Sequence, residues 1–156
     1  MAKWLTREEA LAKMQRYCAY QDRCHQEVRS KLLELEVYGE RLEEIMGQLI
    51  EEGFLNEERF ARSFARGKFR IKQWGRNRIR RELKARQVSD YCIRKGLEEI
   101  DETEYLETLR ALLQKKLENG GEGALAQQKQ KAVRYALSRG FEAELAWPML
   151  EELLGG

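Results

Sequence analysis

A single histidine, a single proline and three cysteines are all that this 156-residue chain holds of those types, and each scarcity removes a class of function. Metal centres on nitrogen and sulfur need several ligands at close spacing. Cys18, Cys24 and Cys92 form neither a Cys-x-x-Cys pattern nor a disulfide framework, so they read as reduced structural thiols. His25 stands near Cys24 and Glu27, but one side chain of each kind does not build a tetrahedral site, and it reads as a helix-surface histidine. No apolar run of about 18 residues exists, and the opening "MAKWLTREEALAKMQ" lacks the apolar stretch and small-residue cleavage site of a secretory signal. A soluble, cytoplasmic chain with no membrane attachment is expected. Gly-rich phosphate loops, histidine pairs and nucleophile elbows are missing too. The adjacent carboxylates Glu43 with Glu44, and Glu51 with Glu52, point about 100° apart on a helix and read as solvated surface. No catalysis, cofactor or metal is expected.

What the chain has is charge and helical punctuation. Charged residues make up 36% of it, against roughly 25% in an average globular protein. Thr6 with Glu9 forms a capping box for a helix to about Tyr20, and Asp22 is expected to cap the next, through about Glu36. A third spans about Glu40 to Glu52 and stops at Gly53. Asn56 caps a fourth to about Gln73, Gly75 separates it from a fifth over Asn77 to Arg86, and Ser89 opens a sixth to about Ile100. A seventh is expected from Thr103 to about Glu118, where "NGGEG" breaks the chain; two more cover about Leu125 to Ser138 and Glu142 to Leu154. Pro148 should bend or shorten the last, because it lacks an N–H and clashes with the preceding turn.

The apolar residues near the end of each third of the chain recur at matching offsets. Val37, Leu42, Met46 and Leu49 correspond at a shift of 51 to Val88, Ile93, Leu97 and Ile100, and Phe141, Leu145, Leu150 and Leu153 follow at 53 with one position slipped. A period near 50 residues is the mark of stacked supersecondary units that bury their apolar stripes on one another. The expected fold is all-α, with three tandem three-helix units at 1–54, 55–101 and 102–156 in an elongated molecule.

The charge is concentrated. "RFARSFARGKFRIKQWGRNRIRRELKAR", from Arg59 to Arg86, contains twelve basic residues against one acid, in a chain whose formal total is only +2. On a helical wheel Phe60, Phe64, Gly67, Ile71 and Trp74 share one narrow stripe with Ala61 and Ala65 beside it, which predicts the core face. Arg59, Arg62, Arg66 and Arg70 lie opposite, with Phe69 projecting among them, where it could stack on an unpaired base or make a contact with the neighbouring unit. In the short helix Ile79 and Leu83 point inward, while Arg80, Arg81 and Lys84 group on the far side, and Arg76 and Arg78 complete the run. Cations packed this densely repel one another unless an anion is near, so the run is expected to be a binding face. Nine of the twelve are arginine, whose planar fork suits phosphate or carboxylate. A second patch, Lys129, Lys131, Arg134 and Arg139, lies near the C-terminal end. Nucleic-acid phosphates and an acidic protein surface both remain open as partners.

The basic stretch, the preceding "EEGFLNEERFARSFA" and the following "WGRNRIRRELKARQVS" resemble the central signature of the RecX family, regulators of the RecA recombinase. Gly53, Phe54, Leu55, Asn56, Phe60 and Ala61 match one block and Gly75, Ile79, Glu82, Leu83 and Val88 a second. "EVRSKLLELEV" and "KAVRYALSRGFEAEL" extend the resemblance over most of the chain. It departs at Gln87, where the family often has glycine, and at Asn56 with Glu57, which replace an acidic pair. The resemblance implies a tandem of three-helix units forming an elongated, curved molecule that lies in the groove of a RecA filament on single-stranded DNA, inhibiting ATP hydrolysis, strand exchange and coprotease activity and promoting disassembly. A monomer is expected. Arg66, Arg70, Arg76, Arg80, Arg81 and Lys84 are expected from the wheel to carry most of the binding. The competing readings are a free-standing nucleic-acid module of helix-turn-helix type and a scaffold for an acidic protein.

Overall fold

A computed structural model of the chain describes residues 4–121 and 123–155. Among them are nine helices and no strand: α1 (Arg7–Tyr20), α2 (His25–Glu34), α3 (Gly39–Glu51), α4 (Glu57–Lys72), α5 (Arg76–Ala85), α6 (Asp90–Leu97), α7 (Glu102–Glu118), α8 (Leu125–Ser138) and α9 (Ala143–Leu153). Most start signals work as local chemistry dictates. Thr6 Oγ1 accepts from the Glu9 N–H and Glu9 Oε1 accepts from the Thr6 N–H, both at 3.1 Å, so two of the four orphan donors of α1 are satisfied reciprocally. Asn56 Oδ1 accepts from Arg59 N–H at 2.9 Å and Ser89 Oγ from Cys92 N–H at 3.2 Å.

Two expected caps are displaced. Asp22 does not cap α2: its carboxylate is taken by Arg59 Nε at 2.7 Å, and Cys24 is the N-cap, with Glu27 reaching back to its N–H at 3.4 Å. Asp101, not Thr103, caps α7, accepting from Glu104 N–H at 2.9 Å. Nor does Pro148 shorten the last helix. It lies inside α9, which continues to Leu153.

The repeat has a backbone counterpart. After α2, α5 and α8 the chain turns through a left-handed residue, Glu36 (φ 63°), Gln87 (φ 61°) and Gly140 (φ 98°). In each case the next N–H returns to a carbonyl five residues earlier: Val37 to Leu32 at 2.9 Å, Val88 to Leu83 at 3.1 Å and Phe141 to Ala136 at 3.0 Å. This is the Schellman closure, which satisfies the last carbonyls of a helix and leaves the following apolar residue facing its own last turn. Val37, Val88 and Phe141 are buried accordingly, and they are the residues that open each copy of the apolar pattern.

By contacts the chain forms two compact units, one of the chain up to Ser63 with Leu83–Gly96, the other of Phe64–Glu82 with the chain from Leu97. In the first, Ala10, Met14, Cys18, Val28, Leu32, Leu42, Ile45, Met46, Leu49 and Leu55 make one apolar core. Gly96 of α6 lies so close to α4 that an added Cβ would come within 2.6 Å of the Ala61 carbonyl oxygen. In the second, Tyr105 is fully buried, its ring 5.7 Å from that of Phe69 and 5.0 Å from that of Phe141.

α4 is therefore rotated from its expected orientation. Its buried residues are Phe60, Ala61, Ala65 and Phe69. Phe69 is 3% exposed and does not project among the arginines, whereas Ile71, expected in the core, is 80% exposed. Small side chains explain the turn, since Ala61 against Gly96 lets two helices approach more closely than any pair of large residues allows. In α5 the orientation is as expected, with Ile79 and Leu83 fully buried and Arg80, Arg81 and Lys84 exposed.

Candidate functional site

The basic residues divide into those held by the fold and those left to solvent. In the first unit Arg59 binds Asp22 and also donates to the carbonyls of Gly53 and Phe54 at 3.1 Å each, clamping the end of α3. Arg62 Nε donates to Glu58 at 3.1 Å, and Lys84 Nζ lies 3.7 Å from Asp90. In the second unit Arg76 is the most engaged, with Nη2 2.9 Å from Glu102, Nε 3.4 Å from Glu142 and the guanidinium 4.0 Å above the Tyr105 ring. Arg66 lies 3.4 Å from Glu99, Arg70 3.5 Å from Glu104 and Lys129 3.2 Å from Glu151.

These pairs differ in strength. An exposed ion pair contributes about 0–1 kcal/mol, because water screens it and two long side chains must be ordered. Arg66 with Glu99, Arg70 with Glu104 and Lys84 with Asp90 are of that kind, so an incoming phosphate can displace the carboxylate at small cost. Arg59 and Arg76, each with several acceptors, are structural.

Helix N-termini attract anions through their free N–H groups and dipole, but the start of α5 is already occupied from within. Gly75 N–H donates to Arg139 O at 2.7 Å, Asn77 N–H to Gly140 O at 2.9 Å and Arg76 N–H to Tyr105 Oη at 2.9 Å. The end of α8 thus meets the start of α5, pairing opposite ends of two helix dipoles. Arg139 also donates to the Lys72 carbonyl at the end of α4, and Tyr105 donates to Glu142. Burial, and then the bond to Glu142, push the Tyr105 hydroxyl well above its ordinary pKa, so it stays a donor. Arg139 is accordingly a strut of the fold, which removes it from the second basic patch.

What remains on α5 is Arg78, Arg80 and Arg81. Among the described residues no carboxylate lies within 4.0 Å of these three. Arg80 and Arg81 are exposed, and Arg80 Nη1 donates to Asn77 Oδ1 at 3.1 Å. Arg78 is half-buried, stacked 4.2 Å from the Trp74 ring centroid. Lys68 Nζ lies 5.0 Å from the same ring and 5.5 Å from that of Phe64, and Phe64 meets Trp74 edge-on at 6.3 Å. Phe64 and Trp74, expected in the core, thus pack with Lys68 and Arg78 in a cation-and-ring cluster. On α8, Lys131 and Arg134 are exposed and likewise without a carboxylate partner among the described residues. The arrangement can hold anions by charge and bidentate hydrogen bonding, and it assembles no proton-transfer or nucleophilic group.

The family model described as RecX, second three-helix domain, matches residues 56–97, and that described as RecX, third three-helix domain, matches residues 102–149. Regulatory protein RecX of Bacillus cytotoxicus is 28% identical over 137 residues, covering 88% of this chain and 51% of that protein. Regulatory protein RecX of Lactobacillus gasseri is also 28% identical over 137 residues, with the same coverage of each chain. The chain spans about half the length of the curated relatives it matches. The crystal structure of RecX from Lactobacillus salivarius shares the fold, with a TM-score of 0.86 at 21% identity over 94% of this chain and 96% of that one. With both domain models matched in order along the α-helical second and third parts, the chain belongs to the RecX family of regulatory proteins.

Proposed function

We propose that this chain regulates a RecA-type recombinase by binding its filament on single-stranded DNA, lowering ATP hydrolysis, strand exchange and coprotease activity without catalysing a reaction of its own. It does so as a monomer of three three-helix units, 1–54, 55–101 and 102–156, working in the cytoplasm. The observation that carries the reading is the pair Arg80 and Arg81: adjacent, exposed and, among the described residues, without a carboxylate partner, in a chain that matches RecX domain models. Uncompensated neighbouring cations raise the free energy of the folded state, and an anionic partner removes that penalty. Arg78 joins them on α5, Lys131 and Arg134 add a further patch on α8, and Arg66, Arg70, Lys84, Arg62 and Lys129 enter by exchanging weak internal pairs for phosphate or acidic side chains. Many such contacts, each weak, give strong salt dependence.

The test is the DNA-dependent ATPase of the recombinase with the purified chain added. The chain should inhibit at concentrations too low to coat the DNA, and Arg80→Glu with Arg81→Glu should abolish inhibition while helical content stays unchanged. Full inhibition by the folded double variant would remove the site. Tight binding to bare DNA without inhibition would favour a free-standing nucleic-acid module, and inhibition indifferent to DNA would favour a protein scaffold.

A further inference from the structure

Within the second unit, residues of α7 and α8 line two adjoining open hollows of about 310 and 340 Å³ that share Lys116 and Tyr135. Lys115 lines the first; Lys131, Arg134 and Ser138 line the second. Among the described residues no carboxylate pairs with any of these four cations. Lys116 Nζ stands 4.8 Å from the Tyr135 ring centroid, and no hydrogen bond holds the half-buried tyrosine's hydroxyl among the described residues.

Helix electrostatics account for part of this. Lys115 and Lys116 occupy the last turn of α7, where the dipole favours cations. Lys131 and Arg134 have no such reason, because they precede the last turn of α8 and that turn carries no basic residue. Two helices therefore bring four cations around adjoining hollows that share an aromatic ring, and neither helix shows that pattern alone. Single-stranded nucleic acid offers the complementary alternation of flat bases and phosphates, and protein surfaces that bind it combine a cationic groove with rings on which bases stack. An acidic protein surface would use the charges but leave the ring without a planar partner.

We propose that the α7–α8 groove is a single-stranded nucleic-acid subsite in which Tyr135 stacks on a base while Lys115, Lys116, Lys131 and Arg134 hold the flanking phosphates. The proposal rests on the reading that this chain works on DNA, and it adds the place where an unpaired base is read.

The experiment is fluorescence anisotropy of a labelled thymidine oligonucleotide and of an abasic oligomer of equal length, with the full chain at several salt concentrations. Tyr135→Leu keeps an apolar side chain in the half-buried position and should weaken thymidine binding by about 5- to 150-fold while leaving the abasic oligomer unaffected. Lys131→Gln with Arg134→Gln, both at exposed positions, should weaken both oligomers and reduce the salt slope by about 1.4. An unchanged thymidine-to-abasic ratio in Tyr135→Leu overturns the base subsite. An unchanged salt slope overturns the phosphate contacts, and so does equal competition by polyglutamate. If these groove variants bind both oligomers as the unaltered chain does while Arg80→Glu with Arg81→Glu still loses inhibition, the subsite fails and the regulatory reading stands. If the groove variants behave as expected but the unaltered chain leaves the recombinase ATPase untouched, the regulatory reading fails and the subsite stands.

Discussion

Replacing Gly75 by alanine would place a methyl carbon 2.3 Å from the Gly140 carbonyl carbon, 2.4 Å from its oxygen and 2.4 Å from Phe141 N. All three are backbone atoms, so no side chain can swing aside, and ordinary carbon contacts lie at about 3.5–4.0 Å. The start of α5 must move by about 1 Å from the end of α8. That movement strains Gly75 N–H to Arg139 O, now 2.7 Å, and Asn77 N–H to Gly140 O, now 2.9 Å. Each hydrogen bond contributes about 1 kcal/mol net, and a buried donor left unmade costs about 1–3 kcal/mol. Losing one outright and weakening the other gives about 2–4 kcal/mol, a fall of about 5–15 °C in Tm for a chain of this size. Gly75 is not in the left-handed region, so the loss reports space and not backbone conformation. Thermal unfolding followed by circular dichroism at 222 nm measures it. A Gly75→Ala melting curve within about 1 °C of the parent would refute the account of the α5–α8 junction.

Gly67, in the middle of α4, has nothing within 4 Å of an added Cβ, so Gly67→Ala should stabilise by about 0.5–1 kcal/mol in urea unfolding; a loss of stability would mean that the α4 surface is covered by protein. Gln87 holds φ 61°, which costs a side-chain-bearing residue about 1–2 kcal/mol. Part of that gain is offset by the greater freedom of glycine in the unfolded chain, so Gln87→Gly should raise stability by about 0.5–1 kcal/mol, and a lowered urea midpoint would count against the Schellman turn. Burial pushes the Cys24 thiol up to about 11 from its ordinary 9.0, so the folded state keeps a proton that the unfolded chain has lost. That contribution is complete below pH 9 and disappears as pH rises toward about 11. Cys24→Ala should therefore lose less stability than the parent between pH 8 and pH 10.5, and equal losses would remove the thiol from the alkaline transition.

Signals that act within a few residues were legible in the chain. Thr6 and Glu9 cap each other, Asn56 and Ser89 start their helices, and the shifts of 51 and 53 in the apolar pattern separate Glu36, Gln87 and Gly140, the three left-handed turn residues. Asp22 misled because a carboxylate placed to cap a helix is equally placed to bind an arginine 37 residues away, and nothing local ranks the two.

The candidate site shows the same division more sharply. Sequence alone concentrated the cations between Arg59 and Arg86 and put Ile79 and Leu83 inside and Arg80 and Arg81 outside, since helical periodicity and charge density are properties of the chain itself, and the blocks around Gly53 and Gly75 carried the resemblance to the RecX family. Tertiary structure decided which cations are spent on the chain's own carboxylates, that Arg139 braces α4 and that Phe69 packs on Tyr105. It also brought Lys115 and Lys116 beside Tyr135. Each of these depends on a partner dozens of residues away or on how closely small residues let two helices approach, and a one-dimensional pattern carries neither distance.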